Sequence, residues 1–287
     1  MHTWQVGLDI QEDSFCALAV QRRRYGWQLR HWHYQSVSSS CIGDKTAMLS
    51  PEIMAALSEW RRNLPRRVSL RIALPADVIL QQSIKLPEPS LSLQEQSWLV
   101  EASMSKLFPL AARELAVDYR LISSVNSERS DSGEIVVSAT RRLVIEYWKT
   151  ELARADIFPD IIDTTPCVLR YMALSGGVPP DSLLVHQLYE KYLLVSPLNR
   201  PFYYQVISDN AMTVLERIEY ARQTYQQISG YTVNQVNYSG LPTLEDFPSY
   251  IQCWSPLVAL QQMQPPLPEA PQQFVLACGL ALRSEDC

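Results

Sequence analysis

Two short apolar runs, WQVGLDI at 4–10 and SFCALAV at 14–20, flank the polar turn Gln11-Glu12-Asp13. With 27–34 they have the β-branched and aromatic content and the rough alternation of strands. SPEIMAALSEWRRN is helical: Ser50 suits the N-cap, Pro51 the first helical position and Glu52 the positive helix end. RRVSLRIAL, 66–74, reads as a buried strand. The first seventy-odd residues therefore run β-β-β-α-β.

A different texture fills 75–140. A strand leads into a proline-bounded loop, and SLQEQSWLVEASMSKLF, 92–108, is a helix with a capping box from Ser92 to Glu95. ELAVDYRLI and GEIVVSAT are strands around a polar hairpin loop. Helical spacing predicts burial of Trp98, Leu99, Ala102 and Leu107. Helix 142–155, strand 158–163 and helix 165–175 follow, and SGGVPPD, 175–181, is the linker candidate.

Beyond it the first order recurs. LLVHQLYEKYLLVS is strand, turn, strand; PFYYQVI is a third strand; MTVLERIEYARQTYQQI, 212–228, is a helix; TVNQVNY is a fourth strand. Two passes of β-β-β-α-β point to two similar lobes facing across a cleft. The expected organisation is 1–74 lobe one, first part; 75–140 an inserted α+β subdomain; 141–181 lobe one, second part; and 182–287 lobe two.

Composition narrows the function classes. The net charge is -5 and the chain has nine glycines, below the usual ~7% share. Loops that wrap phosphate use glycine so that N–H groups can converge, and no glycine-rich nucleotide or hydrolase motif is present. Residues 1–75 hold ten Lys/Arg against six Asp/Glu, a balance of +4, and the remainder fifteen against twenty-four, a balance of -9. Arg22-Arg23-Arg24 precede Tyr25 at a hairpin tip; it reads as a solvated tip or as a contact for anionic headgroups or a partner tail. No two of the six cysteines lie closer than nine positions, so zinc spacing is absent. The chain reads as reduced and cytoplasmic, with no window near the ~18 apolar residues of a membrane span. His31 and His33 share a strand face but are two ligands, not a site, and His186 reads as a turn residue.

Several stretches in shared order carry a resemblance. VGLDIQEDSFCALAV, ALPADVILQQSIKLP, the helix-turn-strand block 91–122, IVVSATRRLVIEYWKTELARADIFPDIIDTTPCVLRYMAL and FVLACGLALR, 274–283, resemble the PilM family of type IV pilus assembly proteins, in particular its DNA utilization and competence branch. That resemblance implies an α/β, actin-like (ribonuclease H-like) two-lobed fold, with a small α+β insert in lobe one. The family's first phosphate loop has the form G-x-D-I-G-S-S-S-V-K. Gly7, Asp9 and Ser14 survive here, but Gln11 replaces the turn glycine and Cys16 the lysine. Asp9 is either a metal-water ligand or an inherited turn cap. Glu12 and Asp13 place negative charge where phosphate would lie; like charges ~4 Å apart at an effective dielectric near 20 repel by roughly 4 kcal/mol. The second loop is His186-Gln187-Leu188-Tyr189-Glu190, without the family's carboxylate, glycine and hydroxyls, and the adenosine motif survives as Ser239 and Gly240. The usual lobe-two insert is reduced to residues 208–211, so lobe two is truncated.

Gly7, Asp9, Ser14, Ser239 and Gly240 are thus expected as remnants of a nucleotide site: no catalysis, no metal, no cofactor and ATP binding lost, a pseudo-ATPase. The resemblance implies a scaffold at the inner face of the inner membrane, binding the cytoplasmic N-terminal tail of a PilN-like protein (HofN in the DNA-utilization setting). The partner supplies the membrane contact, and no direct nucleic-acid binding is implied. The family's tail groove lies between lobe one and the insert, so Lys85, Leu86, Pro87, Leu107, Phe108, Pro109 and Leu110 are expected to border it, with Phe108 as anchor. The alternatives are a divergent ATP-binding switch or ATPase and, suggested only by the uptake context, a DNA-binding protein.

Overall fold

Both halves of the chain build the same sheet. In a computed structural model that describes residues 3–37, 49–86, 91–122, 134–188, 190–208, 212–242, 246–263 and 266–283, the first half runs β1 (Trp4–Ile10), β2 (Ser14–Arg23), β3 (Gly26–Ser36), α1 (Pro51–Arg61) and β4 (Val68–Leu74). The insert follows with β5 (Leu80–Lys85), α2 (Leu93–Leu107), β6 (Leu115–Ile122) and β7 (Glu134–Arg141). Lobe one resumes with α3 (Arg142–Arg154), β8 (Ile161–Thr164) and α4 (Thr165–Ser175). The second half runs β9 (Leu183–Gln187), β10 (Tyr192–Val195), β11 (Tyr204–Ile207), α5 (Val214–Ser229), β12 (Val236–Gly240) and β13 (Ile251–Cys253), then β14 (Gln262–Met263) and α6 (Val275–Leu282).

One sheet has the order β14-β3-β2-β1-β4-β8 and the other β11-β10-β9-β12-β13. In each, the first three strands form an antiparallel meander and the fourth and fifth add in parallel beside the first. This is the actin-like two-lobed fold. The insert is a separate three-stranded sheet, β5-β7-β6, with α2 on one face. Between β11 and α5 there are only residues 208–213, of which 209–211 lie outside the described residues.

Helix ends follow the sequence signals. Ser50 accepts from the Ile53 amide, Ser92 and Glu95 form the expected capping box, and Thr213 and Glu216 form another. The strand predicted from 158 begins instead at Ile161: Pro159 lacks an N–H for the ladder, and pairing starts where Asp160 N donates to Leu70 O.

Two expectations are corrected. Residues 182–287 do not all belong to lobe two. β14 pairs with β3 on the edge of the first sheet, and α6 lies on that sheet. All eight α6 residues are buried, and a helix apolar all round must be covered on every side. β1 approaches at Gly7, where an added Cβ would stand 1.9 Å from Ala277 O, and α4 approaches at Gly279, where it would stand 2.9 Å from a Val168 methyl. The fully buried Arg71 donates to Ala281 O (3.2 Å) and to Arg283 O, placing a cation at the negative end of α6. The second correction concerns α2. Its buried stripe is Gln96, Val100 and Met104, flanked by Leu99 and Leu107, while Trp98 is 59% exposed and Ala102 is exposed. Apolar residues at 98, 99, 100, 102, 104 and 107 allow two stripes, and the insert sheet covers only one.

Candidate partner-binding groove and the inter-lobe cleft

At the cleft, β1 and β9 each end beside a turn, and the two turns face one another. Asp9, Ser14 and Gly240 meet there with Gln11, Cys16, Tyr34, His186, Gln187 and Gln273 around a cavity of about 30 Å³. That holds a water or two; ligand pockets run to roughly 300–1,000 Å³. Asp9 is buried and accepts a hydrogen bond from Gln11 Nε2 at 2.6 Å. Burial pushes its carboxyl up to about 7, and the Gln11 bond opposes that rise. Ser14 Oγ donates to Asp13 Oδ1 at 3.1 Å, and burial raises the Asp13 carboxyl too. His186 is not a turn residue. It lies buried in β9, with Nδ1 2.9 Å from Ser239 Oγ, and burial holds its ring neutral by lowering the pKa to about 3.

Of the five expected remnants, Asp9, Ser14 and Gly240 line the cavity, and Ser239 reaches it through His186. Gly7 does not; its place is under α6. Gly240 is needed for backbone geometry: its φ is +105° and a Cβ would fall 2.2 Å from Gln187 O. Glu12 faces a cation instead of empty space. Lys191, from the turn between β9 and β10, lies 3.0 Å from Glu12 Oε1 and 2.7 Å from Asp77 Oδ2. One side chain of lobe two thus holds the first loop of lobe one and the root of the insert. His31 and His33 stack at 6.5 Å, and among the described residues no group of three or more His, Cys, Asp or Glu could hold a metal ion.

The larger opening, about 450 Å³, lies under the other face of the insert sheet. Along β7, Ile135 and Val137 pack toward α2, whereas Val136, Ser138 and Thr140 line this groove. The other walls include Ala116, Asp118 and Arg120 of β6, which pair with Thr140, Ser138 and Val136, Ile162 of β8, Tyr171 and Leu174 of α4, and Leu198 and Phe202 of lobe two. β6 and β8 are the edge strands of their sheets, so the groove lies between two edges. Its polar end is Asp163, which accepts from the Thr164 amide (2.7 Å), Arg120 (3.3 Å) and Arg283. Arg170 closes the lobe-two side, donating to the carbonyls of Leu198 (2.8 Å) and Arg200 (3.0 Å) and stacking on Phe202. Burial, reinforced by Asp163, pushes the Cys167 thiol up to about 11, so it is a neutral lining group.

The residues expected to border a tail groove lie elsewhere. Leu86 and Phe108 are each 4% exposed and sit in the insert core with Val100, Met104, Leu115 and Ile135. Leu107 and Leu110 pack against that core, Lys85 and Pro109 are exposed outside the groove lining, and Pro87 lies outside the described residues. Phe108 is the C-cap of α2 and points under the sheet, on the face away from the groove. The lining residues were missed because the face of Glu134, Val136, Ser138 and Thr140 reads as an ordinary solvated strand face, and alternation does not say that lobe one and lobe two wall it in.

Comparison with known proteins agrees with this architecture. A chain of a PilM-PilN type IV pilus biogenesis complex superposes with a TM-score of 0.69 over 98% of both chains at 15% identity. The cytoplasmic domain of EpsL, an inner-membrane component of the type II secretion system of Vibrio cholerae, gives 0.54 over 98% of this chain and 95% of that one at 12% identity. At such identities the likeness shows fold alone. DNA utilization protein HofM of Escherichia coli (strain K12) is 28% identical over 116 residues, 40% of this chain, and the match spans 45% of that relative's length. The sequence model of the family described as type IV pilus assembly protein PilM matches residues 7–174, more than half of the 287 residues, and the chain belongs to that family.

Proposed function

We propose that the protein is a non-catalytic scaffold of a type IV pilus-like or DNA-utilization assembly. It works in the cytoplasm at the inner face of the inner membrane and binds the N-terminal tail of a PilN-like membrane protein, with no cofactor and no direct contact to DNA. The observation that carries the reading is the contrast between the two openings: about 450 Å³ of mostly apolar groove against about 30 Å³ where a nucleotide would sit. The groove suits an extended peptide. Edge strands β6 and β8 offer main-chain hydrogen bonds, and apolar walls take alternate side chains. A PilM-PilN complex among the similar structures and HofM among the relatives support the choice of partner. No described helix is long and apolar enough to cross a membrane, so the partner provides the span.

A disordered tail costs some 2–5 kcal/mol to order, so the groove must supply anchors. Leu174, 67% exposed on the groove wall, is one. The test is fluorescence anisotropy with a labelled tail peptide, comparing wild type with Leu174→Asp. A well-placed anchor is worth about 2 kcal/mol, roughly thirtyfold in affinity. No binding by wild type at millimolar peptide would remove the tail-capture mechanism. Calorimetric titration with Mg-ATP is expected to show no heat of binding; a Kd below about 100 μM, roughly 5.5 kcal/mol, would favour an ATP-dependent switch instead.

A further inference from the structure

The end of lobe one opposite the cleft gathers two arginine runs that are far apart in sequence. On the rung Val20–Gln5–Ser69, β2 and β4 flank β1. Arg22 and Arg67 each lie two residues beyond that rung, so the β2–β3 tip and the loop entering β4 project from the same sheet end, about 10 Å apart at two strand spacings. Arg22, Arg23, Arg24, Arg62, Arg66 and Arg67 are all exposed there. No ion pair between described residues involves any of the six.

The loop before β8 joins them, because Asp160 N donates to Leu70 O. It carries Phe158, 63% exposed, while Tyr25 at the hairpin tip is 69% exposed. The nearby carboxylates are Glu59, exposed on α1, Asp156 and Asp160. Asp160 accepts from the Leu70 amide, and Asp156 faces Arg61 at 3.7 Å. Arg61 ties the two loops together through Asp156 O (3.0 Å) and Pro65 O (3.3 Å). The hairpin tip is fixed as well: Gln261 bonds the Trp27 amide (2.6 Å) and Trp27 O (3.0 Å).

We propose that this face is a contact surface for the anionic phospholipid headgroups of a bilayer. Clustered arginines with exposed aromatic side chains at protruding loop tips match an interfacial membrane contact, where rings sit at headgroup depth and cations meet phosphates. Residues 76–287 carry a net -9, so an anionic surface orients the molecule with the arginine end toward it. Single-stranded nucleic acid needs a basic groove with a run of stacking rings, and neither described cavity lies at this end. A contact of this size is weak alone and gains from a second attachment; the surface itself is assigned without assuming any tail.

The experiment is flotation of the whole chain, without partner, with vesicles of phosphatidylcholine alone and of equimolar phosphatidylcholine and phosphatidylglycerol at low salt. Binding is expected only to the anionic vesicles and is expected to fall with added salt. The variant Arg22→Ser/Arg23→Ser/Arg24→Ser is expected to lower the partition coefficient by about a hundredfold, at about fivefold per arginine. Tyr25→Ser/Phe158→Ser is expected to lower it while leaving the salt dependence in place. The charge-matched control Lys106→Ser/Arg113→Ser/Lys149→Ser, at exposed positions elsewhere, is expected to bind as wild type does. All four proteins are first compared by thermal unfolding. No binding of wild type to anionic vesicles, equal binding to neutral ones, or an equal loss in the control would each overturn the proposal. So would binding of a single-stranded oligonucleotide at the same salt without vesicle flotation.

Discussion

Asp9→Asn is expected to stabilise this protein, by an amount that depends on pH. The carboxyl is buried, its one side-chain partner is the neutral amide of Gln11, and its pKa is raised from 3.8 to about 7. An acid whose folded pKa is raised binds its proton more tightly in the folded state. Its penalty is therefore absent below about pH 4, grows as pH rises from there, and levels off above about pH 7. About three pH units at 1.36 kcal/mol each make roughly 4 kcal/mol at the plateau. Asparagine keeps the acceptor for Gln11 and never ionises. Relative to wild type it is expected to gain roughly 1.5 kcal/mol at pH 5 and about 4 kcal/mol at pH 8.

Urea unfolding of both proteins at pH 5 and pH 8 measures this directly, and every other titrating group cancels in the difference. The key quantity is the change of about 3 kcal/mol between the two pH values. A difference that stays flat, or an Asp9→Asn protein that is less stable at pH 8, would refute the reasoning. That result would mean that ionised Asp9 has a cation to balance it, which is the arrangement of a working metal-phosphate site. The experiment thus asks whether this carboxylate still serves a ligand or is an inherited group that now costs stability.

Gly7→Ala is expected to destabilise by more than about 3 kcal/mol, since the new methyl would strike backbone atoms of α6 that no rotamer change can move; chemical denaturation measures it, and a loss under 1 kcal/mol would show that α6 docks loosely. Lys191→Ala removes two ion pairs among partly exposed side chains, so its cost is about 1 kcal/mol or less and shrinks in high salt; hydrogen exchange is expected to quicken at the Leu188 amide, which bonds Lys191 O. Phe108→Ala is expected to cost about 3–5 kcal/mol as a core truncation, whereas a surface residue would change stability by about 0.5 kcal/mol at most; denaturation separates the two.

The two-lobed fold was legible because local patterns sufficed. Polar turns bounded apolar runs, Ser92-x-x-Glu95 capped a helix, and the repeat of β-β-β-α-β gave the second lobe. What could not be read depends on contacts between distant segments. Lys191 meets Glu12 across 179 positions of sequence, and nothing in LYEKY marks that lysine. α6 reads equally well as the end of lobe two or as the filling of lobe one; the choice rests on Gly7 and Gly279, which leave room for it from two sides. The groove was the least legible. Val136 and Val137 look alike in sequence, yet one lines the opening and the other the insert core. Arg22-Arg23-Arg24 was visible as a hairpin tip, but its sheet end shared with Arg62, Arg66 and Arg67 was not, because only the register of β1 with β2 and β4 brings them together.

Closing the cleft and keeping the groove are physically linked. The groove takes walls from the insert, from β8 and α4, and from Leu198 and Phe202 of lobe two. Its shape therefore depends on how the lobes sit. Here Lys191 spans lobe two, the first loop and the insert, Arg170 fixes the 198–200 carbonyls to α4, and the Tyr204 hydroxyl donates to Ile79 O at 2.8 Å. These contacts tie the three walls to one another. If the proposed tail binds there, a groove tied together in this way would spare it the free energy of bringing the lobes together. In the proposed reading, in which no nucleotide binds, side-chain contacts such as those of Lys191 are what join the lobes.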